Sequence, residues 1–145
     1  MEPVVTVVGV GIDLVDLERV RQLLQDKGEH AMHRFFSDQE REYLKTRTDA
    51  TGHAAARIAA KEAVYKALQS LPGARAVGWR EIEIARDGDG RPAIQLHGLA
   101  ARLSAARGGL QISISLTHSA LSAGAVAIIE IREPHSFNSD QNTLV

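Results

Sequence analysis

Apolar residues recur along the chain with two different periods, and each period predicts one kind of element. The segment from Val4 to Ile12 is an almost unbroken β-branched run, which is typical of a buried strand. Later segments alternate apolar and polar positions and are separated by turn residues, as in hairpins. The pattern predicts strands over residues 4–12, 79–85, 92–96, 111–117 and 123–131.

Helical spacing of apolar residues predicts helices in the stretches between the strands. Gly28 ends the first helix. Ser37 and Glu40 carry the signature of a capping box at the start of the second, in which each side chain bonds the backbone N–H of the other. The third is rich in alanine, which has the lowest helical cost of any residue, and Leu71-Pro-Gly73 ends it. The predicted helices cover residues 17–25, 38–46, 54–69 and 99–107.

This order of elements predicts an α+β fold, because strands joined by tight turns pair in the antiparallel direction. The expected architecture is an antiparallel sheet of about five strands packed with one long helix and several shorter ones. The chain of 145 residues has the size of one domain, which we place at residues 1–132. Residues 133–145 are polar and are expected to form a flexible C-terminal tail.

Composition and charge exclude several classes of protein. The absence of cysteine excludes disulfides and thiolate metal sites. A net charge of −1 and a pI of about 6.6 argue against a protein that binds nucleic acid through its overall charge. No apolar run approaches the ~20 residues of a membrane span, and the N-terminus shows no signal-peptide pattern. We therefore expect a cytoplasmic protein that acts on neither nucleic acid nor membrane.

The alanine-rich helix carries four charged residues at helical spacing. Arg57 and Lys61 are four residues apart and form one ridge, while Glu62 and Lys66 form a second. Such a face is commonly a solvated surface, on which Glu62 and Lys66 would contribute about 0.2–0.5 kcal/mol as an ion pair. Three cations and one carboxylate also suit a ligand that carries phosphate together with a metal ion, if the chain supplies a second carboxylate.

Asp13 is a candidate for that second carboxylate, since it directly follows the first predicted strand. The preceding Gly9 and Gly11 suggest a dinucleotide-binding loop, but Leu14 occupies the position of the third glycine and excludes that motif. An alternative role for Asp13 is to cap the helix that follows, and Asp16 is equally able to take that role. The residues alone leave both interpretations open.

Five short motifs combine these candidates with residues elsewhere in the chain. They are Gly11-Ile-Asp13-Leu, Phe36-Ser-Asp-Gln-Glu40, Ala59-Ala-Lys61-Glu62-Ala-Val-Tyr-Lys66-Ala, Asp87-Gly-Asp-Gly90-Arg-Pro92 and Ser115-Leu-Thr-His118. In this order, and at about these spacings across positions 7–131, they resemble the motifs of the 4′-phosphopantetheinyl transferases, and among them the small holo-[acyl-carrier-protein] synthase group. Each motif is weak alone, but the combination is specific.

The resemblance implies an enzyme that transfers phosphopantetheine from coenzyme A to a serine of an apo carrier protein and releases adenosine 3′,5′-bisphosphate. It also implies Mg²⁺ as the cofactor, with Asp13 and Glu62 as its ligands. A homotrimer that binds coenzyme A in clefts between subunits is the expected assembly. Two departures from the family pattern, Ile58 in place of Phe and Gln69 in place of Gly, affect the expected shape of the coenzyme pocket rather than the reaction.

The residue types agree with this chemistry. Mg²⁺ keeps several waters and is typically held by one or two carboxylates and by substrate phosphates, as Asp13 and Glu62 would allow. Attack of a serine hydroxyl on a pyrophosphate places charge on phosphoryl oxygens, so positioning and cations supply most of the catalysis. Lys66 is therefore a candidate to stabilise or protonate the leaving phosphate. Glu62, or a metal-bound water that it orients, is a candidate to accept the serine proton.

The resemblance assigns further binding residues by motif position. Arg57, Lys61 and His118 are expected to bind the 3′-phosphate and pyrophosphate of coenzyme A, and Arg19 is expected to contact the acidic carrier protein. Simpler alternatives are a solvated ridge for Arg57 and Lys61, and a strand-end imidazole bonded to backbone for His118. For Arg19 the alternative is an isolated surface charge. The aromatic residues Phe35, Phe36, Tyr43 and Trp79 are expected in the core.

Two other functions compete with the transferase. One is a catalytically idle trimer that binds coenzyme A and carrier protein, against which both carboxylates and Lys66 argue. The other is a different phosphoryl enzyme, such as a nucleotide hydrolase, against which the absence of a glycine-rich phosphate loop argues. The transferase is therefore the favoured hypothesis.

Overall fold

Five strands and four helices make up the part of the chain that the computed structural model describes, residues 2–133. No helix within those residues is long and apolar enough to cross a membrane. Most of the expected polar tail, residues 134–145, lies outside the described residues. In chain order the elements are β1 (Val4–Asp16), α1 (Leu17–Phe35), α2 (Asp38–Lys45), α3 (Ala50–Leu68), β2 (Ile82–Arg86), β3 (Pro92–Leu96), α4 (Gly98–Ala106), β4 (Gln111–His118) and β5 (Ser122–Glu133).

Every strand pair is antiparallel, which confirms the α+β class. The strands are divided between two sheets rather than joined in one: the larger has the order β1-β5-β4, and the smaller consists of β2 and β3. Turn residues identify local hairpins, but they do not decide whether two hairpins share a sheet. β5 is the central strand of the larger sheet, because it pairs with β1 on one side and β4 on the other.

α3 packs across the larger sheet, and its small side chains bring helix and strand backbones together. Gly9 and Gly11 of β1 face this helix. A Cβ atom at Gly9 would lie 2.1 Å from the carbonyl oxygen of Ala67, and one at Gly11 would lie 1.8 Å from that of Ala63. The two glycines that resemble part of a nucleotide loop therefore serve a direct contact between strand and helix, which any side chain at these positions would prevent.

Two apolar clusters pack against α3. The first lies between α3, the larger sheet and β2, and includes Val64, Leu68, Leu71, Ile82, Ile84, Ala125, Ala127 and Ile129. The second joins α3 to α1 and α2, and includes Leu17, Val20, Phe36, Leu44, Ala55 and Ile58. Because α3 is covered on both sides, most of its residues are buried, including some that carry charge. The single domain over residues 1–132 stays a prediction.

α1 continues beyond its expected end at Gly28. Gly28 leaves helical geometry, with φ 46° and ψ −122°, so the helix is kinked there and then resumes. Its second half is held by the burial of Ala31 and by an edge-to-face contact of Phe35 with Trp79, whose ring centroids are 4.9 Å apart. A glycine signals a local break in the backbone, but it does not prevent a further helical segment from packing.

Three other boundaries differ from the sequence prediction. β1 extends to Asp16, because it continues to pair with β5. α3 begins at Ala50 rather than at residue 54, since the Asp49 side chain caps it by accepting a hydrogen bond of 3.2 Å from the Gly52 N–H. The strand expected from residue 79 begins with a 3₁₀ turn, Trp79–Glu81, and becomes extended only in β2.

The contact between β1 and α3 predicts that Gly11→Ala destabilises the fold. The added methyl group would overlap the Ala63 carbonyl, so strand and helix must separate, and we expect the free energy of unfolding to fall by about 3 kcal/mol. Gly88→Ala is the matched control, since a Cβ atom there meets nothing within 4 Å. Urea unfolding followed by circular dichroism measures both variants. Equal stability of the two would contradict the contact.

Candidate active site

Asp13 lies within β1 and faces α3, two residues beyond the second close-packed glycine, because side chains alternate along a strand. Its carboxylate accepts a hydrogen bond of 2.9 Å from Nζ of Lys66, which also donates to the carbonyl oxygen of Ile12 at 3.0 Å. α1 begins only at Leu17, so Asp13 is not its N-cap. Asp16 holds the N-cap position, and its side chain makes no capping hydrogen bond.

Glu62 lies one turn before Lys66 on α3, close enough to Asp13 for the two carboxylates to influence each other. Burial raises the pKa of Glu62, the charge of Asp13 raises it further, and Lys66 partly opposes both effects. The site therefore carries an excess of negative charge. Among residues 2–133 no group of three or more His, Cys, Asp or Glu side chains could hold a metal ion. Asp13 and Glu62 would supply two carboxylate ligands, which fits Mg²⁺ completed by substrate phosphates and water.

Two cavities meet at Glu62. The larger is an open groove of about 560 Å³, and the smaller has a volume of about 190 Å³ and is mainly apolar. Glu62 and Trp79 line both. The larger groove is also lined by Asp13, Asp16, Arg19, Val20, Leu23, Phe35 and Ile58, and the smaller by Lys61, Tyr65, Val77, Gly78 and Ile82.

Arg19 and His118 occupy different positions relative to these carboxylates. Arg19 is exposed in the first turn of α1 and lines the larger groove, so the structure brings it to the same opening as Asp13 and Glu62. His118 is exposed at the end of β4 and lines neither cavity. Within residues 2–133 its side chain makes no hydrogen bond, and a single chain does not bring it to the carboxylates.

Arg57 belongs to a cluster of cations around one tyrosine ring. The guanidinium carbon of Arg57 lies 3.9 Å from the ring centroid of Tyr43, and those of Arg47 and Arg86 lie 4.4 and 4.5 Å from it. His53 contacts the same ring edge-to-face, and its carbonyl oxygen accepts a hydrogen bond of 3.4 Å from Arg57. Three guanidinium groups this close repel one another, so an anion bound among them would be stabilised.

Burial and the neighbouring positive charges lower the pKa values of two groups in this cluster. Burial lowers the pKa of Arg57, although Tyr43 and Glu40 favour its charged form. Burial also lowers the pKa of His53, and the positive charges of Arg57 and Arg47 lower it further. Nε of Arg57 is buried without a hydrogen-bond partner among the described residues. Arg57 is thus neither solvated nor fully satisfied, as expected of a group that binds an anion.

Lys61 is also not a solvated charge, because its side chain is fully buried. Its ammonium group contacts the buried carboxylate of Glu40 at 2.7 Å and donates a hydrogen bond of 2.9 Å to the carbonyl oxygen of Trp79. Burial lowers the pKa of Lys61, and Glu40 opposes the shift. The ridge expected to combine Arg57 with Lys61 is therefore divided: Arg57 joins the tyrosine cluster, and Lys61 is engaged inside the protein.

Several of these neighbours were not expected from the sequence. Of the four aromatic residues placed in the core, only Phe36 is fully buried, whereas Tyr43 and Trp79 are half-buried beside charged groups. The one available signal was spacing: Tyr43 and Arg47 are four residues apart on one helix and its end, as are His53 and Arg57 on the next. That the two pairs meet depends on the packing of α2 against α3.

Comparison with known proteins agrees with this site. A family model described as the 4′-phosphopantetheinyl transferase superfamily matches residues 9–124. The holo-[acyl-carrier-protein] synthase of Treponema denticola is 40% identical over 125 residues, which cover 86% of this chain and 98% of that protein. The holo-[acyl-carrier-protein] synthase of Paramagnetospirillum magneticum is 41% identical over 130 residues, with coverage of 86% and 96%.

Solved structures give the same result. The acyl carrier protein synthase of Mycobacterium tuberculosis is 37% identical, with a TM-score of 0.66 and coverage of 87% of this chain and 99% of that one. The ACPS–CoA complex of Chronobacterium ammoniagenes is 34% identical, with a TM-score of 0.73 and coverage of 86% and 98%. Motifs, fold and relatives agree, and the chain belongs to the 4′-phosphopantetheinyl transferase superfamily.

Proposed function

We propose that this chain is a holo-[acyl-carrier-protein] synthase that transfers the 4′-phosphopantetheine group of coenzyme A to a serine of an apo acyl carrier protein. The released product is adenosine 3′,5′-bisphosphate, and Mg²⁺ is the cofactor. The observation that carries the proposal is the meeting of Asp13, Glu62 and Lys66 at the contact between β1 and α3. The names of the relatives, and the coenzyme complex of one of them, support the same substrates.

Asp13 and Glu62 would hold the metal ion, since they are hard oxygen ligands beside an open groove. When bound, Mg²⁺ supplies positive charge to the pyrophosphate oxygens. Lys66 is half-exposed, so its ammonium group can move from Asp13 to the leaving nucleotide phosphate and stabilise or protonate it. In this proposal Glu62 accepts the serine proton, directly or through a water that it orients.

One bond forms and one breaks in the proposed transfer. The serine oxygen bonds to the phosphorus that carries pantetheine, and the bond from that phosphorus to the bridging pyrophosphate oxygen breaks.

In this proposal, the cluster of Arg57, Arg47 and Arg86 around Tyr43 binds a phosphate of coenzyme A, because it combines three cations with an unsatisfied buried donor. His118 would reach a coenzyme phosphate bound in a cleft between two subunits.

The larger sheet supports the proposed homotrimer, because the face turned away from α3 is apolar and uncovered. Val10, Ile12 and Leu14 of β1 are 63%, 71% and 73% exposed, and neighbouring Ile128 of β5 is 37% exposed. Within one sheet these residues form a continuous patch, since Val10 is paired with Ile128. Contiguous exposed apolar surface of this kind marks an interaction site.

The trimer is tested by Ile12→Lys. A charge at the centre of the apolar face should prevent association, because it cannot be buried without a partner. Sedimentation velocity should show a mass of three chains for the parent and one chain for the variant. Arg132→Lys, near the end of β5, is the control, because it keeps the positive charge already present at that position. A single-chain mass for the parent would contradict the trimer.

Transfer itself is tested by intact-mass spectrometry of an apo carrier protein incubated with this chain, coenzyme A and Mg²⁺. We expect a mass gain of one phosphopantetheine group that EDTA abolishes. Glu62→Gln should lower the rate by about 10²- to 10⁴-fold, because the variant can neither accept a proton nor bind the metal as an anion. Glu42→Gln, on the exposed surface of α2, is the matched control. Coenzyme A binding without any mass gain would favour the idle binding trimer.

Arg19 is proposed to contact the acidic carrier protein, because it lies exposed beside the groove that leads to Glu62. Arg19→Ala should raise the KM for carrier protein by about tenfold, the loss expected for one charged contact. The KM for coenzyme A should not change. Arg21→Ala is the matched control, since Arg21 pairs with Glu18 on the same helix and does not line the groove. Equal changes in both KM values would contradict the assignment.

A further inference from the structure

A buried ion pair lies directly behind the proposed active site. The side chains of Lys61 and Glu40 are both 0% exposed, and their charged atoms are 2.7 Å apart. Lys61 immediately precedes Glu62 on α3. Removing two charges from water is costly, so a pair in this position must be compensated by accurate geometry and additional hydrogen bonds.

Glu40 makes those additional bonds on two other elements. One carboxylate oxygen accepts a hydrogen bond of 2.7 Å from the Ser37 N–H, which completes the capping box of α2. The other accepts one of 2.9 Å from the Ile84 N–H in β2. Together with Lys61, the carboxylate therefore connects α2, α3 and the smaller sheet.

Lys61 extends the connection to the wall of the active site. Its ammonium group donates a hydrogen bond of 2.9 Å to the carbonyl oxygen of Trp79. Trp79 lines both cavities that meet at Glu62, and its ring contacts Phe35 edge-to-face. The segment that carries Trp79 is a short 3₁₀ turn, and the bond from Lys61 attaches this turn directly to α3.

We infer that Lys61 is a positioning residue for the transfer reaction and not a ligand of coenzyme A. Acting with Glu40, it fixes Trp79 against α3 and so holds the two cavity walls around Glu62. To reach a phosphate, the Lys61 ammonium group would have to leave Glu40 buried without a counter-charge. The inference rests on the proposed function for its kinetic consequence, but its structural basis does not depend on transfer.

The test is a double-mutant cycle of Lys61→Met, Glu40→Gln and the double variant. Gln at position 40 can still complete the capping box, and the double variant leaves no unpaired buried charge. Lys45→Met and Glu42→Gln are the matched controls, because these two residues form an exposed ion pair on α2. The kcat and the KM for coenzyme A are measured for each. Acrylamide quenching of Trp79, the chain's single tryptophan, reports the cavity wall.

A positioning role predicts that either single variant lowers kcat by about 10- to 100-fold, because misplaced groups slow the reaction. The KM for coenzyme A should stay within about twofold. The double variant should be no worse than the poorer single variant, since both act through one connection. Quenching of Trp79 should increase in Lys61→Met, and both controls should behave as the parent.

Other outcomes overturn the inference. If Lys61→Met raises the KM for coenzyme A by about tenfold or more while Glu40→Gln leaves it unchanged, Lys61 is a ligand. If kcat per folded molecule is unchanged in both, the pair is structural only. Should Lys61→Met fail to fold, calorimetry on the double variant decides: parent-like affinity for coenzyme A supports positioning, and weaker affinity by about tenfold or more overturns it.

The two proposals fail separately. If the parent chain transfers nothing to any carrier protein, the proposed function fails while the link from Lys61 to Trp79 is still measurable. Unchanged quenching of Trp79 in Lys61→Met would then overturn the inference, and increased quenching would support it.

Discussion

The whole site depends on how closely one strand approaches one helix. Gly9 and Gly11 have no side chains, and α3 presents the backbone of Ala63 and Ala67 to them, so β1 and α3 touch through their main chains. Because side chains alternate along a strand, the next residue of β1 that faces the helix is Asp13. The close approach is what allows its short carboxylate to reach a group on α3.

The close contact between β1 and α3 also determines the electrostatics of the candidate active site. Asp13 and Glu62 are brought together on opposing elements, and the pKa of Glu62 is raised by burial and by its partner's charge. The positive charge of Lys66 opposes this rise only in part, and its side chain remains half-exposed. This unfavourable balance is a cost to the folded protein, and it would be offset when a divalent cation and an anionic substrate bind.

α3 is covered on both sides, and this explains the different states of its charged residues. The larger sheet and β2 form one apolar cluster with α3, and α1 and α2 form the other. Lys61 points into that second contact and requires the buried carboxylate of Glu40. Arg57 lies farther along the same ridge, where it stacks on Tyr43 among other arginines. Glu62 lines the remaining opening, and Lys66 lies half-exposed against Asp13, which lines the same groove.

The sequence by itself determined the α+β class, the identity of most elements, the family and the candidates Asp13, Glu62 and Lys66. Local rules were enough for the class and the elements, because apolar period, turn residues and capping pairs act over a few positions. The family and the roles of the candidates came from the resemblance of five motifs taken together. Only the tertiary structure decided that the five strands form two sheets, that Asp13 faces α3 rather than capping α1, and that Lys61 pairs with Glu40. Each of these depends on which distant surfaces pack together, since burial and charge pairing are set by neighbours from other parts of the chain.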